Sequence, residues 1–147
     1  MIINQTKINL GKNNKGDEII VNIESKQSSL PIEELSLRGI EYGSITIEGS
    51  LPDDTNYLRF LIASDSRNEK CVYIENFSIE EKSMGTGSLI FKKMIEIAQN
   101  EHCHYIIGSI KNDDDIGSNS RERRENFYVN KHKAKMLDEE YFKKDII

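Results

Sequence analysis

Hydrophobic and polar residues follow one another along the chain with periods that predict a mixture of strands and helices. In residues 2–24, two runs rich in isoleucine, valine and leucine flank the polar, glycine-containing stretch 11–17. Glycine and asparagine tolerate the positive φ that a chain reversal needs, so this segment predicts a β-hairpin. Farther along, Pro31 is followed by acidic residues, which is typical of a first helical turn, and we expect a short helix over residues 31–35.

Three strands are predicted in the middle of the chain. Residues 44–48 alternate between apolar and polar, with Ile45 and Ile47 on one side. Residues 57–63 and 71–77 are apolar runs separated by a polar turn. Because consecutive strands joined by short turns usually lie side by side, we expect these three strands to form an antiparallel meander.

The next part of the chain predicts a helix between two strands. From Gly87 to about residue 101, apolar residues recur at helical spacing, and charged residues occupy the opposite face. Residues 105–110 then form a short apolar run. A strand, a crossover helix and a second strand form a parallel βαβ unit, so we expect the strands at 71–77 and 105–110 to pair in parallel.

The last third of the chain completes the predicted fold. A helix is expected over residues 121–131 with Phe127 facing inward, followed by one or two strands within residues 135–147. The predicted class is therefore α/β (α+β), with a mixed sheet in which an antiparallel N-terminal meander joins a parallel βαβ unit. Since no long linker interrupts the pattern, we expect residues 1–147 to form one domain.

Composition and charge indicate which classes of partner, such as membranes or nucleic acid, the protein is not expected to bind. No apolar run approaches the roughly 20 residues that span a bilayer, and the N-terminus lacks the pattern of a signal peptide, so we expect a cytoplasmic protein without a membrane partner. The formal net charge of -5 argues against nucleic acid as the main ligand. Cys71 and Cys103 are expected to be reduced packing residues rather than a disulfide.

The connection from the third middle strand to the long helix carries a candidate anion-binding loop. It reads Gly85-Thr86-Gly87-Ser88. The free N–H groups of a first helical turn and the positive end of the helix dipole favour an anion, and glycine allows a phosphate to approach the backbone. The structural alternative is a tight strand-to-helix connection that binds nothing.

Two sequence motifs around this loop resemble those of a known family. The run 82–87 reads Lys-Ser-Met-Gly-Thr-Gly, and about forty residues later residues 124–128 read Arg-Glu-Asn-Phe-Tyr. Together they resemble the Arg/Gln-x-x-Gly-x-Gly/Ala signature and the later Phe-Tyr of the GNAT superfamily of acyl-CoA N-acyltransferases. The resemblance covers about residues 57–132 and implies a GNAT-like central mixed sheet.

The resemblance implies acetyl-CoA as cosubstrate and no metal. Its pyrophosphate would lie on the loop, and its pantetheine arm would pair with the strand backbone at about residues 76–79, with Gly108 and Ser109 on the opposite wall. Lys82 would add a charge where the family has arginine or glutamine. The cofactor-binding residues implied are Phe77, Ile79, Lys82, Met84, Gly85, Thr86, Gly87, Ser88 and Asn126.

The implied reaction is transfer of acetyl to a primary amine of a small molecule or peptide. Tyr128, at the family's Phe-Tyr position, is the candidate general acid toward the leaving sulfur, since a tyrosine with a pKa of about 10 is protonated at pH 7. Glu75 is the best carboxylate candidate for the general base. Strand alternation could equally turn Glu75 to solvent, and Tyr73 or a water are the other candidates.

Two departures from the family pattern affect the acceptor side. A hairpin stands where the family usually has two helices between its first strands, and the Gly-Phe that commonly follows Phe-Tyr is absent. The alternative function is therefore a catalytically weak GNAT-like module that binds acyl-CoA or a protein, and a remoter one is an interaction protein without a phosphate site. A homodimer is also expected by analogy, since the hairpin offers an open edge.

Three further clusters contain charged or metal-ligating residues. The sequence at 102–104, His-Cys-His, places three adjacent residues that cannot easily converge on one zinc ion, and the aspartates at 113–115 lack the spacing of a calcium loop. Arg121, Arg123 and Arg124 either reach the 3′-phosphate of coenzyme A or form the exposed face of a helix.

Overall fold

The computed structural model describes residues 3–27, 31–32, 37–47, 56–79, 85–110 and 118–146. Within these ranges the chain forms nine strands and two α-helices. The strands are β1 (Ile3–Lys12), β2 (Glu18–Gln27), β3 (Pro31–Ile32), β4 (Leu37–Ile47), β5 (Tyr57–Ser64), β6 (Lys70–Ser78), β7 (Tyr105–Ser109), β8 (Lys135–Met136) and β9 (Tyr141–Asp145). The helices are α1 (Thr86–Asn100) and α2 (Ser118–Glu125).

All nine strands belong to one mixed sheet. Its order is β1-β2-β4-β5-β6-β7-β9-β8, and β3 pairs with β4 beside this path. Neighbouring strands are antiparallel except β6 and β7, which are parallel and joined through α1. The mixed α/β class, the N-terminal hairpin, the meander of β4, β5 and β6, and the parallel βαβ unit are therefore confirmed.

The short helix predicted at residues 31–35 is wrong. Pro31–Ile32 is a strand whose two residues pair with Arg38 and Leu37, while residues 33–35 lie outside the described residues. A proline lacks a backbone donor, which β3 tolerates because, within the described ranges, it pairs on one side only, with β4. The strand predicted at 44–48 also begins earlier, since β4 starts at Leu37 and pairs on both sides with β2 and β5.

The helix predicted at 121–131 is present, but its second half has π-helical geometry. α2 ends at Glu125, and the chain continues as a π-helix over Asn126–Lys131. A π-helical turn is wider than an α-helical turn, so it changes which residues of the turn face the core. Here it brings Phe127, Tyr128 and the following His132 against α1, where their rings contact Phe91.

The larger hydrophobic core lies on the face of the sheet that α1 and the π-helix cover. Its fully buried members include Leu58, Phe60, Ile90, Phe91, Met94 and Phe142. A smaller cluster lies apart from it and consists of Leu61, Ala63, Cys71 and Tyr105. Neither helix in the described part of the chain is long and apolar enough to cross a membrane.

Both cysteines are packing residues, as the sequence predicted. Cys71 and Cys103 are free thiols without any exposed surface. Burial raises the pKa of the Cys71 thiol, because the thiolate would lose its hydration there. The hydroxyl of Tyr105 lies beside that thiol and donates to Asp65 Oδ2 over 2.7 Å, which joins β7 to the β5–β6 turn.

Candidate functional site

The strand β6 extends beyond its parallel partner β7 and has a β-bulge at Glu75. Across β5 and β6, Arg59 pairs with Asn76 but Phe60 pairs with Ile74, so Glu75 is the extra residue. The β6–β7 pairing ends at Ile74 with its partner Gly108, and β7 ends at Ser109. A bulge bends its strand, so it changes the direction of β6 at this point. After Glu75, the sheet partner of β6 in the described residues is β5 alone, which leaves one backbone edge of β6 unpaired there.

The N-terminus of α1 is the second component of the site. Gly85 caps the helix with φ +82°, and its carbonyl accepts the hydrogen bond of Leu89 N–H over 3.2 Å. The N–H groups of the first helical turn, at residues 86–88, therefore lack partners within the helix. That turn contains no acidic residue, so the positive end of the helix dipole is not neutralised locally. Lys82 and Met84 lie outside the described residues.

The turn of the N-terminal hairpin contacts this helix end. Asn13 donates from Nδ2 to Thr86 Oγ1 over 3.1 Å, and its Oδ1 accepts from the backbone N–H groups of Lys15 and Asp17 at 3.0 and 3.1 Å. The neighbouring Asn14 side chain lies 3.1 Å from where a Cβ on Gly85 would be. Thr86 is therefore buried, while Gly85 is partly exposed beside the turn.

A buried Ser–His pair lies on another side of the same helical turn. Ser88 Oγ is 3.1 Å from Nε2 of His132, and both residues are 8% exposed. The rings of Phe91 and Phe127 flank the imidazole, with centroids 4.7 and 4.6 Å away. Burial, helped by nearby lysines, lowers the pKa of His132 to about 4, so the imidazole is neutral at pH 7.

Tyr128, the candidate general acid, is buried in a stack of rings over β7. Its ring stacks on Phe142 with centroids 3.9 Å apart, and the Phe142 ring lies 2.9 Å from where a Cβ on Gly108 would be. Tyr128 is 5% exposed, and its hydroxyl has no hydrogen-bond partner among the described residues. Burial raises the pKa of Tyr128, so the phenol stays protonated at neutral pH.

The other predicted site residues differ in their exposure and contacts. Glu75 is exposed at the bulge, and no contact among the described residues joins it to Tyr128. Phe77 packs against Phe127 with ring centroids 5.8 Å apart, and Ile79 is buried beside Gly87. The last predicted residue, Asn126, is exposed, and its Oδ1 accepts from Asn130 Nδ2 over 2.6 Å.

Two of the three arginines in α2 are engaged with backbone carbonyls. Arg124 donates from Nη1 to the carbonyl of Ile110 over 3.1 Å, and Arg121 donates from Nη2 to the carbonyl of Glu139. These contacts fasten α2 to the end of β7 and to the segment before β9. Arg123 is exposed.

The sequence alone did not single out Asn13 or His132. Asn13 occupies an ordinary turn sequence, and its partner Thr86 is 73 residues away. His132 is 44 residues from Ser88. Partners this far apart in the sequence do not form a motif that can be recognised locally. Within the ranges that the structure describes, no group of three histidine, cysteine or carboxylate side chains is placed to hold a metal ion.

Comparison with known proteins gives no assignment of family. No protein-family model matches the chain, and no curated protein matches it either. The functional proposal therefore depends on the unpaired end of β6, the N-terminus of α1 and the aromatic stack.

Proposed function

We propose that this protein is a GNAT-like N-acetyltransferase that moves acetyl from acetyl-CoA to a primary amine. The order of elements supports the proposal: strand β6, the glycine loop, helix α1, strand β7 and a helix with Phe-Tyr follow one another as the sequence motifs imply. The sheet beside them differs from the family pattern in its N-terminal hairpin.

The unpaired end of β6 next to the N-terminus of α1 is the observation that carries the proposal. Pairing with β7 stops at Ile74 and β7 ends at Ser109, while β6 continues to Ser78. The unpaired backbone edge offers donors and acceptors to an extended ligand that carries amides of its own. The pantetheine arm of coenzyme A has this chemistry, and the helix end lies where its pyrophosphate would follow.

The pyrophosphate would bind on the exposed side of the loop. Gly85 and Gly87 retain partial exposure, whereas Thr86 and Ser88 are buried by Asn13 and His132. Phosphate oxygens would accept from backbone N–H groups at the positive end of α1. The hairpin turn at Asn14 would form one wall of this position, because it lies directly beside Gly85.

The transfer requires one proton acceptor and one proton donor. The amine nitrogen attacks the thioester carbonyl carbon, the carbon–sulfur bond breaks, and the sulfur leaves as a thiolate. In this proposal Tyr128 gives its phenolic proton to the sulfur, and Glu75, exposed at the bulge, takes the proton that the amine loses. Burial keeps the Tyr128 phenol protonated and also makes it a weaker acid, so its proton moves only as negative charge develops on the leaving sulfur.

One observation favours the second candidate, a module that binds acyl-CoA without turnover. The Tyr128 ring is enclosed by Phe91, Phe127 and Phe142. Because only 5% of Tyr128 is exposed, these rings leave a thioester sulfur little access to its hydroxyl. A packed tyrosine that no substrate reaches would leave the coenzyme bound and unreacted.

An acetyl-transfer assay separates the candidates. The purified protein is incubated with acetyl-CoA and a panel of small amines and peptides, and the released thiol is measured beside acetyl-CoA binding by calorimetry. We expect turnover with at least one amine, and we expect Tyr128→Phe to slow it about 100-fold with unchanged coenzyme affinity. Saturable binding without turnover across the panel favours the binding module. Absence of coenzyme binding contradicts both candidates.

A further inference from the structure

Three lysines surround the buried His132, and we refer to them as the lysine cluster: Lys92, Lys131 and Lys144. Lys144 Nζ donates to the carbonyl of His132 over 2.7 Å. Lys131 directly precedes His132 in the chain. Lys92 lies one helical turn after Ser88, whose hydroxyl contacts the imidazole. The cluster therefore lies on the flank of α1 immediately after its N-terminus.

The ion pairs in the described part of the chain do not involve the lysine cluster. No carboxylate there forms an ion pair with any of the three, in contrast to Lys93, which pairs with Glu96 at 3.0 Å. Lys92 and Lys131 are exposed. All three ammonium groups act on His132, where they help to lower its pKa. Like charges held near one another raise the free energy of the folded state, and a bound anion offsets that cost.

We propose that the lysine cluster recognises the 3′-phosphate of coenzyme A, an inference that rests on the proposed function. In coenzyme A this phosphate is attached to the ribose that follows the pyrophosphate. If the pyrophosphate binds at residues 85–88, the 3′-phosphate therefore lies about one ribose length from it, on a flank of α1. The flank that carries Lys92 and Lys131 presents exposed cations, the nearby Glu96 is paired with Lys93, and ammonium groups suit a compact phosphate dianion.

The arginines of α2 are the competing candidates for this role. Arg121 and Arg124 already donate to the backbone carbonyls of Glu139 and Ile110. A guanidinium committed to a carbonyl has fewer donors left for a phosphate. Among the described residues, neither Lys92 nor Lys131 makes a comparable hydrogen bond to a backbone carbonyl.

Comparison of coenzyme A with dephospho-coenzyme A tests the inference. Affinities for both ligands and for adenosine 3′,5′-bisphosphate are measured by calorimetry. The proteins compared are the wild type, the double variant Lys92→Ala/Lys131→Ala and the control Lys93→Ala. We expect the wild type and Lys93→Ala to bind coenzyme A about tenfold more tightly than the dephospho form, as one partly solvated charge-assisted contact provides. We expect the double variant to reduce that ratio toward one, with little change in affinity for the dephospho form.

The outcomes separate this inference from the function on which it rests. Equal affinity of the wild type for both ligands overturns the lysine-cluster inference and leaves the proposed function standing. A preference that the double variant keeps in full also overturns it and returns the role to the arginines. If neither coenzyme form binds, the proposed function fails, and the inference fails with it. Binding of adenosine bisphosphate with loss in the double variant supports recognition of the ribose phosphate itself.

Discussion

Asn13 of the hairpin turn donates a hydrogen bond to Thr86 at the first position of α1, over 3.1 Å and across 73 residues of sequence. The same asparagine holds its own turn together through Oδ1. One side chain therefore fixes the turn and attaches it to the end of the helix. This contact makes the N-terminal hairpin a wall of the candidate coenzyme site.

We expect the Asn13–Thr86 bond to be measurable by a double-mutant cycle. Asn13→Ala removes the donor, and Thr86→Val removes the acceptor without changing the shape of the side chain much. The coupling free energy of unfolding, from urea denaturation of the four proteins, should be about 1 kcal/mol, the usual net contribution of such a bond. Strictly additive effects of the two substitutions would show that the turn and the helix end are energetically independent.

The stability of the protein should depend on the ionisation of His132. The pKa of His132 is about 4 in the folded protein and near 6.5 in an unfolded chain. Between these pH values the unfolded state binds more protons than the folded state. The contribution of the neutral His132 to the free energy of unfolding is therefore fully present above pH 6.5. It is lost as the pH falls toward 4, by up to about 3 kcal/mol.

The variant His132→Gln isolates this contribution. Glutamine does not titrate, and its amide can still meet the Ser88 hydroxyl, so all other titrating groups are shared with the wild type. Urea unfolding at intervals between pH 4.5 and 7.5 should show a shallower pH dependence for His132→Gln. Parallel curves for the two proteins would indicate that His132 keeps an ordinary pKa in the folded state.

Gly43 lies beneath the ring of Phe60 on the neighbouring strand, and we expect alanine there to be poorly tolerated. The two residues pair across β4 and β5, and a Cβ on Gly43 would lie 2.2 Å from Cζ of Phe60. Gly43→Ala should lower the free energy of unfolding by about 2 kcal/mol, because the ring must move within a packed core. Thermal and urea unfolding measure the effect.

Two further variants test the cause of the Gly43 effect. Ser44→Ala, at the next position of the same strand, should change stability by less than about 0.5 kcal/mol. Adding Phe60→Leu to Gly43→Ala should cost less than the sum of the separate changes, since the smaller side chain relieves the clash. A fully additive double variant would contradict a direct contact as the cause.

Local signals in the sequence were sufficient for most of the elements. Glycine and asparagine at 11–17 marked the hairpin turn, and apolar spacing marked α1, because turns and amphipathic helices are determined by residues close together in the chain. Strand β3 was missed, since its Pro31 suits a helix start as well as an edge strand. In the structure, Pro31 lies in a strand because it and Ile32 pair with residues 37–38.

The details of the candidate site depend on contacts that no local pattern encodes. The motif at 85–88 indicated a helix end, but the residues that enclose it, Asn13 and His132, come from distant parts of the chain. The bulge at Glu75 depends on the register between β5 and β6. The π-helical turn at 126–131 contains the buried Tyr128, and side-chain periodicity for an α-helix does not anticipate this turn.

Binding of acetyl-CoA to matched variants of Gly85 tests the central claim most directly. Asparagine and aspartate both tolerate positive φ and both suit a helix cap, so Gly85→Asn and Gly85→Asp differ mainly in charge where the pyrophosphate is expected. In calorimetric titrations we predict saturable binding by the wild type and by Gly85→Asn, and at least about tenfold weaker binding by Gly85→Asp. Equal affinities of the two variants, or no binding by the wild type, would contradict a pyrophosphate site at the N-terminus of α1.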